Sequence, residues 1–292
     1  MSRIEDAVQK LQARSQRSAT SPAAPAAPAA RLAALVPRDY AYAGHRIVVD
    51  PVQLRANGLL APDSEERRLQ EQYRTVKRPL LRNADPNRDP PVARGNLVMV
   101  ASALSGEGKT FTCVNLCLSI ARERDWSVVL VDADCSKPHI SRLFSAENEP
   151  GLIDLLRDPS QTFESLVMPT DVPGLSLLPA GSRDPHASEL LASQRMDDLC
   201  VELSSDPAGR MIVFDSSPLL LTTESPVLAS KVGQVVVIVR ANETPQQAVL
   251  AALEKLDQEK AIGCVLNQSW ATSDGEGYGY GYYGYGDPPP NV

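Results

Sequence analysis

Residues 97–110 read LVMVASALSGEGKT, a short apolar run followed by a loop that ends in Gly108, Lys109 and Thr110. A strand that leads through such a loop into a helix is the context of a phosphate-binding P-loop. The glycines let backbone N–H groups converge on phosphate oxygens, and the helix N-terminus adds its partial positive charge. The stretch therefore predicts a nucleotide site at the end of a strand in an α/β domain.

The loop itself supplies most of the predicted nucleotide contacts. Lys109 is expected to reach the β- and γ-phosphates of ATP, and Thr110 to place its hydroxyl on Mg²⁺. Ala103 stands where the full pattern has its first glycine. A Gly-x-Gly-Lys-Thr turn without nucleotide is the alternative, and the flanking strand and helix patterns disfavour it. The loop residues predicted to contact nucleotide are Ser105, Gly106, Glu107, Gly108, Lys109, Thr110 and Phe111.

From residue 96 onward, short apolar runs alternate with helical patterns. Continuous apolar runs are typical of strands covered on both faces, and their alternation with helices predicts a doubly wound, mostly parallel sheet. The predicted strands are 97–101, 128–131, 175–178, 211–214, 235–239 and 262–266. A helix is also predicted over 64–77, bent or ended by Pro79, and another over 248–256, capped by Thr244.

Carboxylates follow two of the predicted strands, where the sheet would gather them. VVLVDAD supplies Asp132 and Asp134, and MIVFDSSP supplies Asp215. Each acidic residue alone could equally be a helix cap. Together with the P-loop, these carboxylates make three clusters at the carboxyl ends of strands in one sheet. That arrangement instead favours a Mg-nucleotide site. Lys109, Asp132, Asp134 and Asp215 are the predicted catalytic residues, and Thr110, Asp134 and Asp215 the predicted metal ligands.

Composition excludes several other functions. The formal net charge is −7, and no long basic run is present, so nucleic acid is not an expected partner. The longest strongly apolar run, near 235–239, is far shorter than the roughly 20 residues of a membrane-spanning helix. With no signal peptide, we expect a cytoplasmic protein. The five cysteines lack a C-x-x-C pair and the three histidines lack metal-ligand spacing.

Four regions follow from these patterns. Residues 1–60 are predicted as a short helix and an Ala/Pro-rich linker, residues 61–94 as a helical region, and 95–270 as the nucleotide-binding domain. Residues 271–292 have a Gly/Tyr repeat without core-forming potential, and we predict a disordered tail.

The motifs together resemble those of the bacterial tyrosine kinases, P-loop autokinases of exopolysaccharide synthesis and chain-length control. The family pattern is a P-loop, a hydrophobic strand with D-x-D and another with D-x-x-P, here SGEGKT, VVLVDAD and VFDSSP. The resemblance spans about residues 54–267 and includes the tyrosine tail. It implies a protein-tyrosine kinase that uses ATP and Mg²⁺, on a P-loop NTPase fold of the deviant Walker A, ParA/MinD-like type.

The resemblance also implies partners. LRANGLLAP and EQYRTVKRPLL look most like the subgroup of exosortase-linked exopolysaccharide loci. There the kinase is a separate soluble chain, so the cytosolic end of a membrane chain-length protein is the expected activator, recruiting it to the inner face of the plasma membrane. A phosphotyrosine phosphatase and further copies of the chain, arranged as a homo-oligomer or ring, are the other expected partners.

The family motif E-x-x-R-x-x-R implies self-association through Glu71, Arg74 and Lys77. Lysine replaces the last arginine here, and it lacks the bidentate fork of a guanidinium, although Arg78 follows it. Asp132 would orient the incoming tyrosine, and Asn267 would read the adenine edge unless it is a turn former. The implied phosphate acceptors are five of the chain's eight tyrosines, namely Tyr278, Tyr280, Tyr282, Tyr283 and Tyr285.

Two other functions share these motifs. Partition and placement ATPases of the ParA/MinD type have the same fold, but they carry a lysine early in the P-loop where this chain has Leu104. They also lack the run of tyrosines. The other alternative is a regulatory subunit that binds ATP without phosphorylating anything. The sequence leaves both open.

Overall fold

The structure, a computed structural model, describes residues 41–59, 63–205 and 209–269. The predicted N-terminal helix, the linker up to residue 40 and the tyrosine-rich tail lie outside these ranges. None of the helices within them combines the length and the apolar character that a bilayer span requires.

A central seven-stranded sheet organises the chain. Its strands are β1 Leu97–Ser102, β2 Ser127–Asp132, β3 Met168–Pro169, β4 Leu175–Leu178, β5 Arg210–Asp215, β6 Gln234–Arg240 and β7 Ala261–Asn267. Their spatial order is β3-β4-β2-β5-β1-β6-β7. Only the β3–β4 pair is antiparallel. The doubly wound, mostly parallel sheet and the six predicted strands are confirmed, each end within one residue, whereas the two-residue β3 is too short to show a period.

Helices cover both faces of the sheet. Within the described residues they are α1 Pro51–Ala56, α2 Asp63–Ala84, α3 Lys109–Ala121, α4 His139–Leu143, α5 Leu152–Arg157, α6 Phe163–Leu166, α7 Ala187–Ala192, α8 Gln194–Ser204, α9 Glu224–Lys231 and α10 Gln246–Leu253. Successive residues of β1 point to opposite layers: Leu97 and Met99 pack in one apolar cluster, Val98 and Val100 in the other. Burial on both faces explains why the strands read as continuous apolar runs.

Of the two effects predicted for Pro79, a bend or an end of α2, the end is wrong, because the helix continues to Ala84. Pro79 cannot donate the helical hydrogen bond to the carbonyl four residues earlier, and its side chain is exposed. Contacts beyond it hold the last turn in place. Gln234 Nε2 donates to the Leu80 carbonyl at 3.0 Å, and Asn83 Nδ2 donates to Gln234 Oε1 at 2.7 Å.

Lys77 does not share an exposed helix face with Glu71 and Arg74, which corrects the expectation from their spacing. Its side chain is buried, and Nζ donates to the Ser119 carbonyl at 2.5 Å and pairs with Glu123 Oε1 at 2.7 Å, both against α3. Glu71 and Arg74 are exposed. The reason is helical periodicity: Lys77 lies one turn from the buried Tyr73, and so on the packed face.

The region preceding α2 also differs from expectation. Ile47, Val49 and Leu54 are buried in the same apolar cluster as Tyr73 and the sheet residue Val98. The boundary predicted at residue 60 therefore does not coincide with a boundary in the packing, because these apolar side chains cover one face of the sheet.

The predicted cap of the last helix is wrong as well. Pro245, rather than Thr244, is the N-cap of α10, and no side chain caps that helix. The Thr244 hydroxyl instead accepts from the Arg240 N–H at 3.0 Å and donates to Glu107 Oε1. Thr244, although it lies beside a helix start, thus bonds to the P-loop residue Glu107.

The two faces of α2 predict different responses to substitution. Lys77→Ala leaves the Ser119 carbonyl and Glu123 without their partner, so we expect the free energy of unfolding to fall by about 1–3 kcal/mol. Arg74→Ala, on the exposed face, is the matched control and should change it by no more than about 0.5 kcal/mol. Urea unfolding at a concentration where the chain is monomeric measures both. Equal effects would contradict the packing of Lys77.

Candidate functional site

The three predicted motifs meet because their strands are neighbours. β5 lies between β2 and β1 in the parallel sheet, so the carboxyl ends of all three point to the same edge. Asp132 and Asp215 are aligned partners across β2 and β5. The P-loop follows β1 at this edge. The strand order thus assembles one site from residues more than 100 positions apart in the chain.

The two loop glycines are required by the backbone. Gly106 and Gly108 have φ angles of 81° and 92°, a region that other residues rarely adopt. A Cβ on Gly108 would also come within 2.0 Å of Asn267 Nδ2. Gly108 is the N-cap of α3, which begins at Lys109, so the loop feeds directly into a helix N-terminus. Ser105 and Gly106 are exposed at the loop tip, and Phe111 is half-buried in the first turn of α3.

The ammonium of Lys109 is nearly buried, with 9% of the residue exposed. Nζ donates to Ser102 Oγ at 3.0 Å, and Ser102 Oγ donates to the Leu104 carbonyl at 2.6 Å. Burial lowers the pKa of Lys109, whereas the carboxylates of Asp215, Asp134 and Glu107 act in the opposite direction. Sequence reasoning missed Ser102, because a serine at the end of an apolar strand carries no distinguishing signal.

Thr110 and Asp215 lie in direct contact. The Thr110 hydroxyl donates to Asp215 Oδ2 at 2.8 Å, while Asp215 Oδ1 is buried without a hydrogen-bond partner. Burial raises the pKa of Asp215 to about 7, and the charge of Asp132 adds to the effect. A buried carboxylate oxygen without a donor, beside a hydroxyl, fits a hard cation such as Mg²⁺, which prefers oxygen ligands.

Asp134 joins the same edge from the end of β2. Its Oδ1 accepts from the Ser217 hydroxyl at 2.8 Å and from the Lys137 N–H at 3.0 Å, and the residue is half-buried. Ser217, which links the second and third motifs, was not predicted. Among the described residues, no three His, Cys, Asp or Glu side chains are grouped to hold a metal by themselves. A cation here would depend on phosphate or water oxygens as well, which is usual for Mg²⁺.

Asp132 is fully buried and has a structural partner. Its Oδ2 accepts from both the N–H and the hydroxyl of Ser141 in α4, at 2.8 and 2.7 Å. Burial raises the pKa of Asp132 to about 6, although the bonds from Ser141 partly offset this. Its Oδ1 is buried without a hydrogen-bond partner. The residue therefore holds α4 with one oxygen, while its other oxygen has no donor among the described residues.

Glu107 braces the P-loop from within. Its buried carboxylate accepts from the Leu104 N–H at 2.6 Å across the base of the loop, and from the Thr244 hydroxyl beyond β6. Its backbone carbonyl accepts from Asn267 Nδ2 at 2.9 Å. That bond assigns the orientation of the Asn267 amide and leaves its Oδ1 as the acceptor that remains. Thr244 was not predicted as part of the site.

Comparisons with known proteins agree with this geometry. Residues 98–269 match the family model described as the CobQ/CobB/MinD/ParA nucleotide binding domain. The chain is 32% identical over 199 residues to the tyrosine-protein kinase YwqD of Bacillus subtilis, covering 68% of this chain and 80% of that protein. The VpsO kinase domain, a crystal structure, superposes with a TM-score of 0.57 at 29% identity, over 70% of this chain and 98% of that one.

Other relatives are much longer than this chain. The tyrosine-protein kinase Ptk of Acinetobacter johnsonii is 32% identical over 185 residues, which are 63% of this chain but 25% of that protein. The similarity therefore concerns the nucleotide-binding domain and its flanking segments. The activities of the remaining three quarters of Ptk are therefore not inferred for this chain.

The raised pKa values of Asp132 and Asp215 predict how stability depends on pH without metal. Both folded values, about 6 and about 7, lie above 3.8, so their ionisation opposes folding. For each residue, the stability that the neutral carboxyl contributes is fully present below about pH 4. It is lost as the pH rises through the folded pKa of about 6 or 7. We expect Asp215→Asn to reduce this loss by on the order of a few kcal/mol, measured by urea unfolding in EDTA from pH 4 to 8.

Asp154→Asn is the opposite-sign control. Burial alone would raise the pKa of Asp154, but hydrogen bonds from Ser182 and Gly151 outweigh it and lower the pKa. This carboxylate stabilises the fold above its ordinary pKa and loses that effect as pH falls. The free energy of unfolding of Asp154→Asn should therefore lie further below that of wild type at pH 8 than at low pH. A common trend in both variants would contradict the assignment of Asp215.

Proposed function

The chain belongs to the CobQ/CobB/MinD/ParA nucleotide-binding family and, within it, to the bacterial tyrosine-protein kinases, and on this premise we propose that it is an ATP-dependent tyrosine autokinase. The observation that carries the proposal is the meeting of the P-loop with Asp132, Asp134 and Asp215 at one sheet edge. The buried, unpartnered oxygen of Asp215 beside Thr110 supports a cation at that point.

Phosphoryl transfer depends mainly on positioning and on neutralising charge. Bound Mg-ATP supplies the γ-phosphoryl group and the cation that screens its oxygens. The backbone amides after Gly106 and the ammonium of Lys109 hold the phosphates. Thr110 and Asp215 would hold the cation, with Asp134 directly or through water. Ser102 keeps the lysine aimed at the loop, since Nζ contacts its hydroxyl.

Asp132 is proposed to position the tyrosine hydroxyl and to take its proton late. Its pKa of about 6 is well below the roughly 10 of a tyrosine hydroxyl, a gap of about 4 units or 5–6 kcal/mol. Full proton transfer before the phosphoryl moves is therefore unfavourable. Because Asp132 is fully buried, the residues that cover it must shift when the hydroxyl enters.

The proposed acceptors are the tail tyrosines, Tyr278, Tyr280, Tyr282, Tyr283 and Tyr285. Two observations on other tyrosines support this choice. Tyr73 is buried between α2 and the sheet, and burial raises its pKa, so its hydroxyl is not presented to an active site. Tyr42 is half-buried against the core. Tyr40 lies outside the described residues.

We extend the proposal to assembly and partners. The exposed residues Glu71 and Arg74 would mediate self-association, and Arg78, also exposed, takes the place of Lys77 in the motif. An exopolysaccharide role, activation by a membrane chain-length protein, recruitment to the inner membrane face and reversal by a phosphatase rest on family resemblance. Asn267 Oδ1 would accept from the adenine amino group, because the amide nitrogen is turned toward Glu107.

The alternative functions make different predictions in one assay. A ParA/MinD-like ATPase or a nucleotide-binding regulatory subunit would share the family and the P-loop, yet neither would produce phosphotyrosine. Incubating the chain with Mg-ATP and probing with an anti-phosphotyrosine antibody separates them from a kinase.

Lys109→Met should abolish that phosphotyrosine signal, because the ammonium that holds the β- and γ-phosphates is removed. The fold should survive, since methionine at a nearly buried position removes a desolvated charge. We expect a melting temperature no lower than that of wild type by more than a few degrees. Full phosphotyrosine signal in a folded Lys109→Met chain would show that the site is wrongly assigned.

Truncation after Ser273 should remove the tyrosines that accept phosphate. It should therefore also prevent the dispersal of the oligomer that phosphorylation is expected to cause. Each phosphate adds about −1.5 to −2 charges, so complete modification adds on the order of −8 to −10 and should disperse the oligomer. We expect light scattering to show ATP-dependent dispersal in the intact chain but not in the truncated one. If the truncated chain still autophosphorylates fully, the acceptors lie elsewhere, with Tyr40 and Tyr42 the next to test.

A further inference from the structure

Helix α2 carries an exposed basic stripe on the face opposite the core. This basic stripe consists of Arg67, Glu71, Arg74, Arg78 and Arg82. These positions follow one another by four, three, four and four residues and so lie along one side of the helix. All five are exposed. None of the four guanidiniums has an ion pair or hydrogen bond with a described residue.

Four arginines against one glutamate stand out in a chain whose formal net charge is −7. An exposed row of guanidiniums without internal partners is suited to an anion with several phosphate groups, which guanidinium binds in a bidentate manner. The overall negative charge weakens the binding of a free polyanion but leaves the local attraction of the stripe in place. A tethered one is brought to the stripe at a high effective concentration by its own linker.

The chain's own tail meets this requirement once it is modified. We propose that residues 276–287, when phosphorylated on tyrosine, fold back and bind the basic stripe of the same chain. The proposal rests on the proposed autophosphorylation, and it adds that the product is held by α2. The unmodified segment carries only Glu276 and Asp287 as acidic side chains, so the interaction depends on phosphate.

The dimensions of the two partners agree. From Arg67 to Arg82 the helix rises over 15 residues, or about 22 Å. From Tyr278 to Tyr285 an extended chain covers seven residues, or about 24 Å. Phosphotyrosines in such a segment can therefore meet guanidiniums along the whole stripe rather than at one point.

The tail is also long enough to reach the stripe from the end of β7. Leu80 and Asn83, near the C-terminal end of α2, bond to Gln234 at the start of β6. Because β7 runs parallel to β6, its last residue, Asn267, lies at the opposite edge of the sheet, so the tail must pass across the sheet to reach that end of α2. The tail follows Asn267 and has ten residues before Tyr278, which extend to roughly 33–36 Å.

Binding of the modified tail to the stripe would also explain how phosphorylation disperses an assembly. Arg74 and Arg78 belong both to the proposed association surface and to the stripe. A phosphorylated tail that occupies them competes with the neighbouring subunit, which is a more specific effect than general repulsion between negative chains.

The test uses a synthetic fluorescent peptide of residues 276–287 with all five tyrosines phosphorylated, titrated with full-length Lys109→Met protein. This chain cannot modify its own tail, so binding is measured independently of kinase activity. We expect saturable binding at low salt that weakens as salt rises. Substituting Arg67→Gln, Arg78→Gln and Arg82→Gln together should weaken it at least about tenfold, with the tail and Arg74 unchanged.

A matched variant, Arg46→Gln with Arg183→Gln and Arg142→Gln, removes the same charge outside α2 and should bind the peptide as before. The unphosphorylated peptide should not bind. Equal affinity in the two triple variants, no binding at low salt, or capture of phosphatidylglycerol vesicles by the stripe without peptide binding would each overturn the proposal. Tail phosphorylation in wild type without peptide binding would sink this inference alone, whereas peptide binding without autophosphorylation would sink the proposed function.

Discussion

Burial of charge where three neighbouring strands end is the constraint around which the site is built. Asp132 and Asp215 are held away from water on adjacent strands, and the cost of their ionisation is visible in their raised pKa values. The Ser141 and Thr110 hydroxyls each satisfy one carboxylate oxygen. One oxygen of each carboxylate remains without a donor. A site that leaves such oxygens is poised for a cation and a substrate hydroxyl, because either removes the penalty.

The P-loop is kept in shape by Glu107 in two ways. The carboxylate joins Leu104 to Thr244, which fixes the base of the loop to the end of β6. Its charge also acts on Lys109, opposing the effect of burial on the pKa of that lysine. Glu107, at a position where the motif allows any residue, therefore affects both the geometry of the loop and the protonation of Lys109. The geometry of this loop thus depends on a side chain that is buried in the fold.

Sequence patterns predicted what depends on local chemistry, and missed what depends on a distant neighbour. The apolar runs gave six strands to within a residue, since burial on both faces leaves a continuous signal. Lys77 was misplaced because its spacing from Arg74 fits a shared face, whereas its spacing from Tyr73 places it on the packed face, where it meets the Ser119 carbonyl and Glu123. Likewise, Thr244 has the signature of a cap but bonds to Glu107, 137 residues earlier. No local pattern could reveal either partner.

The position of β7 bears on whether a tail tyrosine enters its own site or that of a neighbour. Asn267 ends β7 in contact with the Glu107 carbonyl, so the tail leaves the sheet beside the P-loop of its own chain. Tyr278 follows eleven residues later, a flexible span of roughly 17–20 Å root-mean-square. Length therefore does not exclude the chain's own site. In the proposed mechanism the choice must come from direction, because Asp132 is fully buried and would admit a hydroxyl only from the side on which its cover can move. Transfer between chains would require a docked subunit to present its tail from that side, without any change in tail length.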